Sequence, residues 1–380
     1  MKPRAGLVLT GGGARAAYQV GVVKAVRDIL GNPEKNPFPI LCGTSAGAIN
    51  ATTLAVFADN FSRGVGNLLE VWENMRCHHV YRTDVSSITR RGLRWLGALS
   101  WLSRQNPISL LDNAPLKDML ERTLPFERIQ DHIDSGALYA VSVTASGYTS
   151  GQSVSFFQGG SGLEGWERNQ RIGAAVSLKL EYLLASSALP FIFPAVKVHR
   201  EYFGDGSVRQ IAPISPALHL GADRVIVIGV GRQAGNQTER VKTIAYPSLA
   251  QIAGHALNSI FLDSLEVDIE RLQRINKTIR LISHEDRSRH DVQLREVDVL
   301  VISPSEEIDR MAARHLHELP RSIRFLLRGL GATRTGGATL TSYLLFEPAY
   351  CRALIALGYK DTMARRGELL RFIAPVVTQN

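Results

Sequence analysis

Three features of the chain predict an α/β fold built on a mainly parallel sheet. An apolar run, a glycine turn and a helix-like stretch follow one another twice within the first sixty residues. More apolar runs of strand length recur downstream with helical spacing between them, and long helical patterns take over after about residue 240. Strands alternating with helices are the signature of parallel strands joined by crossovers.

Residues 5-AGLVLT-10 read as a buried strand, 11-GGGA-14 as a turn, and Arg15 to about Leu30 as a helix. A second strand, 38-FPILC-42, runs straight into the small, helix-favouring stretch 43-GTSAGAINATTLAVFA-58. Further strands are expected at 137–145, 153–157, 195–199 and 224–230, with helices around 180–188 and 214–221. Beyond these, helical patterns cover 248–275, 306–328 and 348–373, and the runs 278-TIRLIS-283 and 298-DVLVIS-303 are candidates for added strands. The Gly/Thr-rich segment 329–342 reads as a loop. These patterns divide the chain into a domain at 5–235, with an insertion at 90–120, and a mostly helical region at 240–380 packing on its core.

A hydrophobic fraction of 45% and a charged fraction of 21% belong to an ordinary globular chain. Apolar runs such as 225-VIVIGV-230 are far shorter than the ~20 residues of a membrane span. The start is basic and then apolar, but three glycines and Arg15 interrupt it, so no signal peptide is expected there. Cys42, Cys77 and Cys351 are odd in number and widely spaced, which suits reduced thiols in a cytoplasmic protein; no Cys/His spacing resembles a zinc site. A net charge of +9 favours anionic partners or simply gives a basic, solvated surface.

Chemistry concentrates at two glycine turns and one aspartate. In 43-GTSAG-47, Gly43 and Gly47 flank Ser45 in the G-x-S-x-G pattern between a strand and a helix. Such a turn exposes the hydroxyl at a helix N-terminus, where the macrodipole favours developing negative charge. Small residues at a plain bend give the same pattern. The second turn, Gly11-Gly12-Gly13-Ala14, leaves backbone N–H groups uncovered. On the neighbouring parallel strand, donors from Gly12, Gly13 and Ala14 would face Ser45 as an oxyanion hole. Gly11, Gly13 and Ala16 also satisfy a dinucleotide-binding fingerprint, but the second strand ends in Cys42-Gly43-Thr44-Ser45, without the acid that binds a ribose. Ten histidines leave a His base open by count; His78, His79, His284 and His290 all lie in polar or charged segments that suit the surface. Asp205, between two glycines after an apolar strand, is either a strand-end base or a member of a tight turn.

Taken in order, 11-GGGARA-16, 43-GTSAG-47 and 205-DGS-207 resemble the patatin-like phospholipase family. Residues 109–120, 185–196 and 212–228 also resemble family sequence, and 343–365 is similar to bacterial members with a helical C-terminal extension. The resemblance implies a three-layer α/β/α fold and a lipid acyl hydrolase that uses a Ser-Asp dyad without histidine, metal or other cofactor. Position by position it makes Ser45 the nucleophile, Asp205 the base and Gly12, Gly13 and Ala14 the oxyanion hole. Gly11, Arg15, Gly43, Gly47 and Gly206 would support the motifs. Two positions depart from the family pattern, Ala16 for glycine and Ser207 for glycine or alanine, both small changes. Arg15 would pair with substrate phosphate or with a carboxylate. Two alternatives stand beside this reading: an α/β-hydrolase esterase with a Ser-Asp-His triad, and a non-catalytic basic protein that binds membrane or nucleic acid.

For lipid contact, 90-RRGLRWLGALSWLSR-104 carries Leu93, Trp95, Leu96, Leu99, Trp101 and Leu102 among arginines, the composition of an interfacial segment, a lid or a core helix. The expected partners are a fatty-acyl ester and an anionic membrane surface, not nucleic acid. The expected location is the cytoplasm, extending to the inner membrane surface.

Overall fold

The computed structural model describes residues 4–84, 109–231, 248–283, 287, 289, 294–329, 331 and 338–377. The segment 90–104, His284 and His290 lie outside the described residues.

One sheet contains β1 (Ala5–Leu9), β2 (Ile40–Thr44), β3 (Ala140–Gly147), β4 (Ser153–Gly159), β5 (Trp166–Arg168), β6 (Arg171–Ala175), β7 (Val196–Val198), β8 (Glu201–Asp205), β9 (Arg224–Ile228) and β10 (Asp298–Ile302). Its order is β10-β9-β1-β2-β3-β4-β6-β5, and β8 pairs with β3 and β7. The five strands from β10 to β3 are mutually parallel, whereas β4 and β8 run antiparallel to β3.

The parallel strands are buried on both faces, which explains their near-continuous apolar sequence. Their side chains alternate between two clusters with the period of two that a strand imposes. Leu7, Leu9, Leu41, Ile226 and Ile228 join one cluster; Val8, Ile40, Cys42, Val225 and Val227 join the other. The first cluster is covered by α1 (Ala17–Ile29), α2 (Ala46–Val56) and α3 (Phe61–Glu73). Near these lie α4 (Ala114–Thr123) and α5 (Leu180–Ser186), which supply Leu116, Leu120 and Leu183 to it. The second cluster takes Ala217 from α6 (Ser215–His219). After β9 come α7 (Leu249–Asn258) and α8 (Ser264–Arg280), the latter adding Leu265 and Leu272 to that second cluster. Then follow α9 (Ile308–His315), α10 (Arg321–Gly329), α11 (Ala338–Leu344), α12 (Pro348–Ala364) and α13 (Arg366–Val377). Helices on both faces of the sheet give the three layers. Among the described residues, no helix is long and apolar enough to cross a membrane.

The region after residue 240 is built into this core. Residues Asp298–Ile302 extend the parallel sheet beside β9, and α12 packs along α1. A Cβ at Gly21 of α1 would overlap the Ile355 carbonyl, and one at Gly358 of α12 would overlap the Tyr18 carbonyl. The two helix backbones therefore touch through reciprocal glycines.

Two local readings are corrected, and one hairpin was not expected. Residues 278–280 continue α8, and no strand forms at 278–283, because Leu265, Leu272 and Ile279 recur every seven residues on one buried helix face. The 329–342 segment contains the start of α11 from Ala338, where burial of Leu340 and Tyr343 overrides a composition that suits a loop. The β5–β6 hairpin has no apolar alternation to announce it, since Glu167, Arg168, Asn169 and Gln170 are exposed.

Replacing Gly358 with leucine is expected to lower unfolding free energy by about 3 kcal/mol, because a side chain there would force the touching backbones of α1 and α12 apart. Urea titration checks this; an unchanged midpoint would contradict the packing of α1 on α12.

Candidate active site

At the end of β2 the chain turns sharply into α2 through Ser45, whose backbone sits at φ 55° and ψ −129°. A non-glycine residue rarely adopts this conformation, and surrounding structure must hold it. Gly43 and Gly47 permit the turn: a Cβ at Gly43 would strike the Gly47 carbonyl and the Ala48 backbone, and one at Gly47 would strike the carbonyls of Leu9 and Thr10. The Ser45 N–H donates to Ser186 Oγ at 2.8 Å, and that hydroxyl donates to the Thr144 carbonyl at 2.6 Å. The turn is thus tied through α5 to the middle of the sheet.

Asp205 closes β8, opposite Ala145 of β3. Its side chain is fully buried. Ser45 Oγ donates to Asp205 Oδ2 at 2.5 Å, the Ser207 N–H donates to Oδ1 at 2.9 Å, and the Asp205 N–H donates to the Ala188 carbonyl at 2.8 Å. Burial pushes the carboxyl up to about 6, while the bonds from Ser45 and Ser207 pull it partly back. Near neutral pH the group is therefore mostly ionised and still a stronger base than an ordinary carboxylate. A Cβ at Gly206 would overlap the Thr144 carbonyl, so the turn after Asp205 lies directly against β3. Residues 160 positions apart are brought into a single hydrogen bond.

The glycine loop follows β1 beside this pair. Gly13 has φ 54° and opens the 3-10 turn Gly13–Ala16, in which Ala14 is buried. Gly13 lines the same cavity as Ser45. The back of the loop is covered closely: a Cβ at Gly11 would meet Ser207 and Phe261, one at Gly12 Val230, and one at Gly13 the Tyr343 carbonyl. Arg15 is 2% exposed and does not line the cavity over Ser45. It donates from Nε to Ser342 Oγ at 2.8 Å and from Nη2 to Asp309 Oδ1 at 2.5 Å, with the Tyr343 ring 3.9 Å from its guanidinium carbon. Of its two expected roles, pairing with a carboxylate is the one observed. Thr339 Oγ1 donates to the other Asp309 oxygen at 2.6 Å. Sequence reading missed Asp309, Ser342, Tyr343 and Ser186. Only the need of Arg15 for a counter-charge could have signalled one of them.

Below the loop, a buried amide chain joins three helices. Trp72 Nε1 donates to Asn50 Oδ1 at 2.8 Å, Asn50 Nδ2 to Gln19 Oε1 at 2.9 Å, and Gln19 Nε2 to the Thr10 carbonyl at 2.8 Å.

A cavity of about 910 Å³ opens over Ser45. Its walls are mainly apolar, with Ile49, Leu68, Trp72, Met75, Leu116, Met119, Phe193 and Phe346, and His78, His79, Arg82 and Arg122 also line it. The volume is at the upper end of ordinary ligand pockets. His78 is exposed; His79 is partly buried and held below its usual range by burial first and by the neighbouring His78 second. Among the described residues, no histidine bonds to Ser45 or Asp205. The three cysteines are buried and unpaired.

A model of the patatin-like phospholipase family matches residues 7–218, more than half of the chain, and spans the glycine loop, the serine turn and Asp205. The chain belongs to the patatin-like phospholipase family. A relative is the cGAMP-activated phospholipase of Pseudomonas aeruginosa, 28% identical over 213 residues. That match covers 56% of this chain and 55% of the relative, so about half the length of the curated protein is spanned. Among solved structures, VipD from Legionella pneumophila aligns with 97% of this chain and 67% of its own at 14% identity and a TM-score of 0.37. Human GIVD cytosolic phospholipase A2, in complex with methyl gamma-linolenyl fluorophosphonate, aligns with 99% of this chain and 60% of its own at 13% identity and a TM-score of 0.43.

The raised carboxyl of Asp205 also bears on stability. A group whose pKa is higher folded than unfolded stabilises the fold only while protonated, so its contribution is lost as pH rises from about 4 to about 6. Asp205→Asn is therefore expected to stabilise the protein by about 2–3 kcal/mol at pH 7.5, with the gain vanishing below about pH 4. Denaturant titrations at the two pH values measure it; equal stability of wild type and variant at pH 7.5 would contradict the burial of a charge here.

Proposed function

We propose that the protein is a lipid acyl hydrolase that cleaves carboxylic esters through a Ser45–Asp205 dyad and an acyl-serine intermediate. The observation that carries this reading is the 2.5 Å hydrogen bond from Ser45 Oγ to the buried Asp205 carboxylate, beside a largely apolar cavity.

In the proposed cycle Asp205 Oδ2 takes the hydroxyl proton as Ser45 Oγ attacks the ester carbonyl. A base with a pKa near 6 is well matched to this task at neutral pH. The N–H groups of Gly12, Gly13 and Ala14 hold the tetrahedral oxyanion, each such donor being worth about 3–4 kcal/mol in the transition state. Protonated Asp205 then gives its proton to the departing alcohol. Water attacks the acyl-serine with Asp205 again as base, releasing the fatty acid and restoring Ser45. Apolar walls around Ile49, Leu68, Trp72 and Met119 accept the acyl chain. Asp309 and Tyr343 act behind the loop, through Arg15, by fixing where the donors stand. The substrate ester is drawn from a lipid surface; the Leu93, Trp95, Leu99 and Trp101 contact read from the sequence lies outside the described residues.

Labelling with a fluorophosphonate probe tests the nucleophile. Wild type is expected to label and Ser45→Ala not to, whereas labelling that survives the substitution rejects the reading. Asp205→Asn is expected to lower kcat/KM by about 10³-fold while the protein stays folded. In wild type, kcat/KM should fall about tenfold per pH unit below a limb near 6, because the carboxylate must be unprotonated to act. A profile flat down to pH 4 would exclude Asp205 as the base.

A further inference from the structure

Between α5 and β7 the chain makes a tight turn through Leu189-Pro190-Phe191-Ile192-Phe193. The N–H groups of Ile192 and Phe193 both donate to the Leu189 carbonyl, at 3.1 and 2.9 Å. Phe191 stands at the tip with φ 66° and is 75% exposed. Single exposed apolar residues are common on protein surfaces. A bulky aromatic residue in the left-handed backbone region is not, and such strain persists where surrounding structure enforces it. Here both occur at one residue, whose ring is left largely in solvent.

The turn is firmly held. Leu110 N–H donates to the Phe191 carbonyl at 2.9 Å, and Leu111 N–H donates to the Ile192 carbonyl at 2.8 Å. At its root stand the groups that position the catalytic pair: Ser186 accepts from the Ser45 N–H, and the Ala188 carbonyl accepts from the Asp205 N–H. Ser187 and Phe193 line the cavity. The exposed Phe191 ring is therefore carried by the framework that fixes Ser45 and Asp205.

We propose that Phe191 is the anchor by which this protein enters the surface of a lipid aggregate, seating the mouth of the acyl cavity on the interface. The inference rests on the acyl-hydrolase reading, because a lipid ester must leave such a surface to reach Ser45. An aromatic ring is suited to the boundary between acyl chains and headgroups. The turn adjoins the cavity that would take the acyl chain, since Ser187 and Phe193 of the same stretch line it. The ring is uncharged, so its contribution belongs to zwitterionic as well as anionic surfaces.

Two variants and two substrates test this. Phe191→Gly removes the ring and relieves the left-handed backbone, whereas Phe191→Trp keeps an interfacial ring. Rates are measured on a short-chain, water-soluble p-nitrophenyl ester and on vesicles of phosphatidylcholine with and without phosphatidylglycerol; vesicle co-sedimentation and thermal midpoints are followed in parallel. Phe191→Gly is expected to unfold no lower than wild type and to hydrolyse the soluble ester within about twofold of it. It should lose at least ~10-fold in vesicle hydrolysis, with a matching loss of co-sedimentation, since tenfold is only ~1.4 kcal/mol of lost partitioning. Phe191→Trp should retain both. Wild-type vesicle hydrolysis by Phe191→Gly overturns the proposal, as does an equal loss on both substrates, which would place the ring's role inside the site. Self-association that depends on Phe191 without lipid, in place of vesicle binding, also overturns it. If wild type binds vesicles through Phe191 yet cleaves neither ester, the acyl-hydrolase reading fails and the lipid contact stands.

Discussion

Asp205 carries a carboxylate completely out of water, and most of the surrounding structure answers to that constraint. A buried charge is costly unless hydrogen bonds replace its hydration. Here Ser45 Oγ bonds one oxygen and the Ser207 N–H bonds the other. Because these donors replace hydration incompletely, the carboxyl stays a better proton acceptor than an exposed one would be. The same arrangement orients the serine. Its hydroxyl has a partner only if the β2–α2 turn holds its unfavourable φ, and that turn is possible only because Gly43 and Gly47 let backbone touch backbone.

A second buried charge sits behind the glycine loop. Arg15 lies in the first helical turn after Gly13, and its counter-ion Asp309 comes from α9, almost three hundred residues later. Tyr343 of α11 closes on both: its ring covers the guanidinium and its carbonyl occupies the space that a side chain at Gly13 would need. Phe261 stacks on Tyr343 at 5.0 Å and backs Gly11. The region after residue 240 thus does more than extend the sheet with β10. It forms the rear wall of the loop that, in the proposed mechanism, supplies the oxyanion donors, so the loop cannot be treated as a feature of the N-terminal half alone.

The parallel core and the three motif turns were legible in the sequence because each is encoded locally. Apolar runs such as 5-AGLVL-9 and 224-RVIVI-228 mark strands buried on both faces, and glycines mark points of backbone contact. That 43-GTSAG-47 and 205-DGS-207 meet was expected from the family resemblance, and the structure places them in hydrogen-bond contact. What could not be read depends on distant partners. The polar hairpin β5–β6 gains its order from β4, not from its own alternation. The segment at 338–344 is helical because Thr339 and Ser342 bond to Asp309, Ser342 accepts from Arg15, and Leu340 and Tyr343 are buried. The 278–280 stretch looked like a strand because a three-residue alternation cannot be distinguished from the end of a helix stripe that began at Leu265.

The geometry also accounts for how the proposed mechanism dispenses with an imidazole between serine and acid. A histidine relay serves where the carboxylate stands one ring away from the nucleophile and keeps its ordinary acidity. Here β8 runs antiparallel to β3 and ends with Asp205 against Ala145, while β2 runs parallel to β3 and ends at Thr44 beside Thr144. Because the two strands end one position apart on β3, Ser45, the residue that follows β2, meets Asp205, the last residue of β8. Direct contact follows from this register, and burial at that point raises the basicity that a histidine would otherwise supply. The sheet topology and the protonation chemistry are therefore one arrangement: moving Asp205 outward by the width of an imidazole would let water reach it and return it to the weak basicity of an exposed carboxylate.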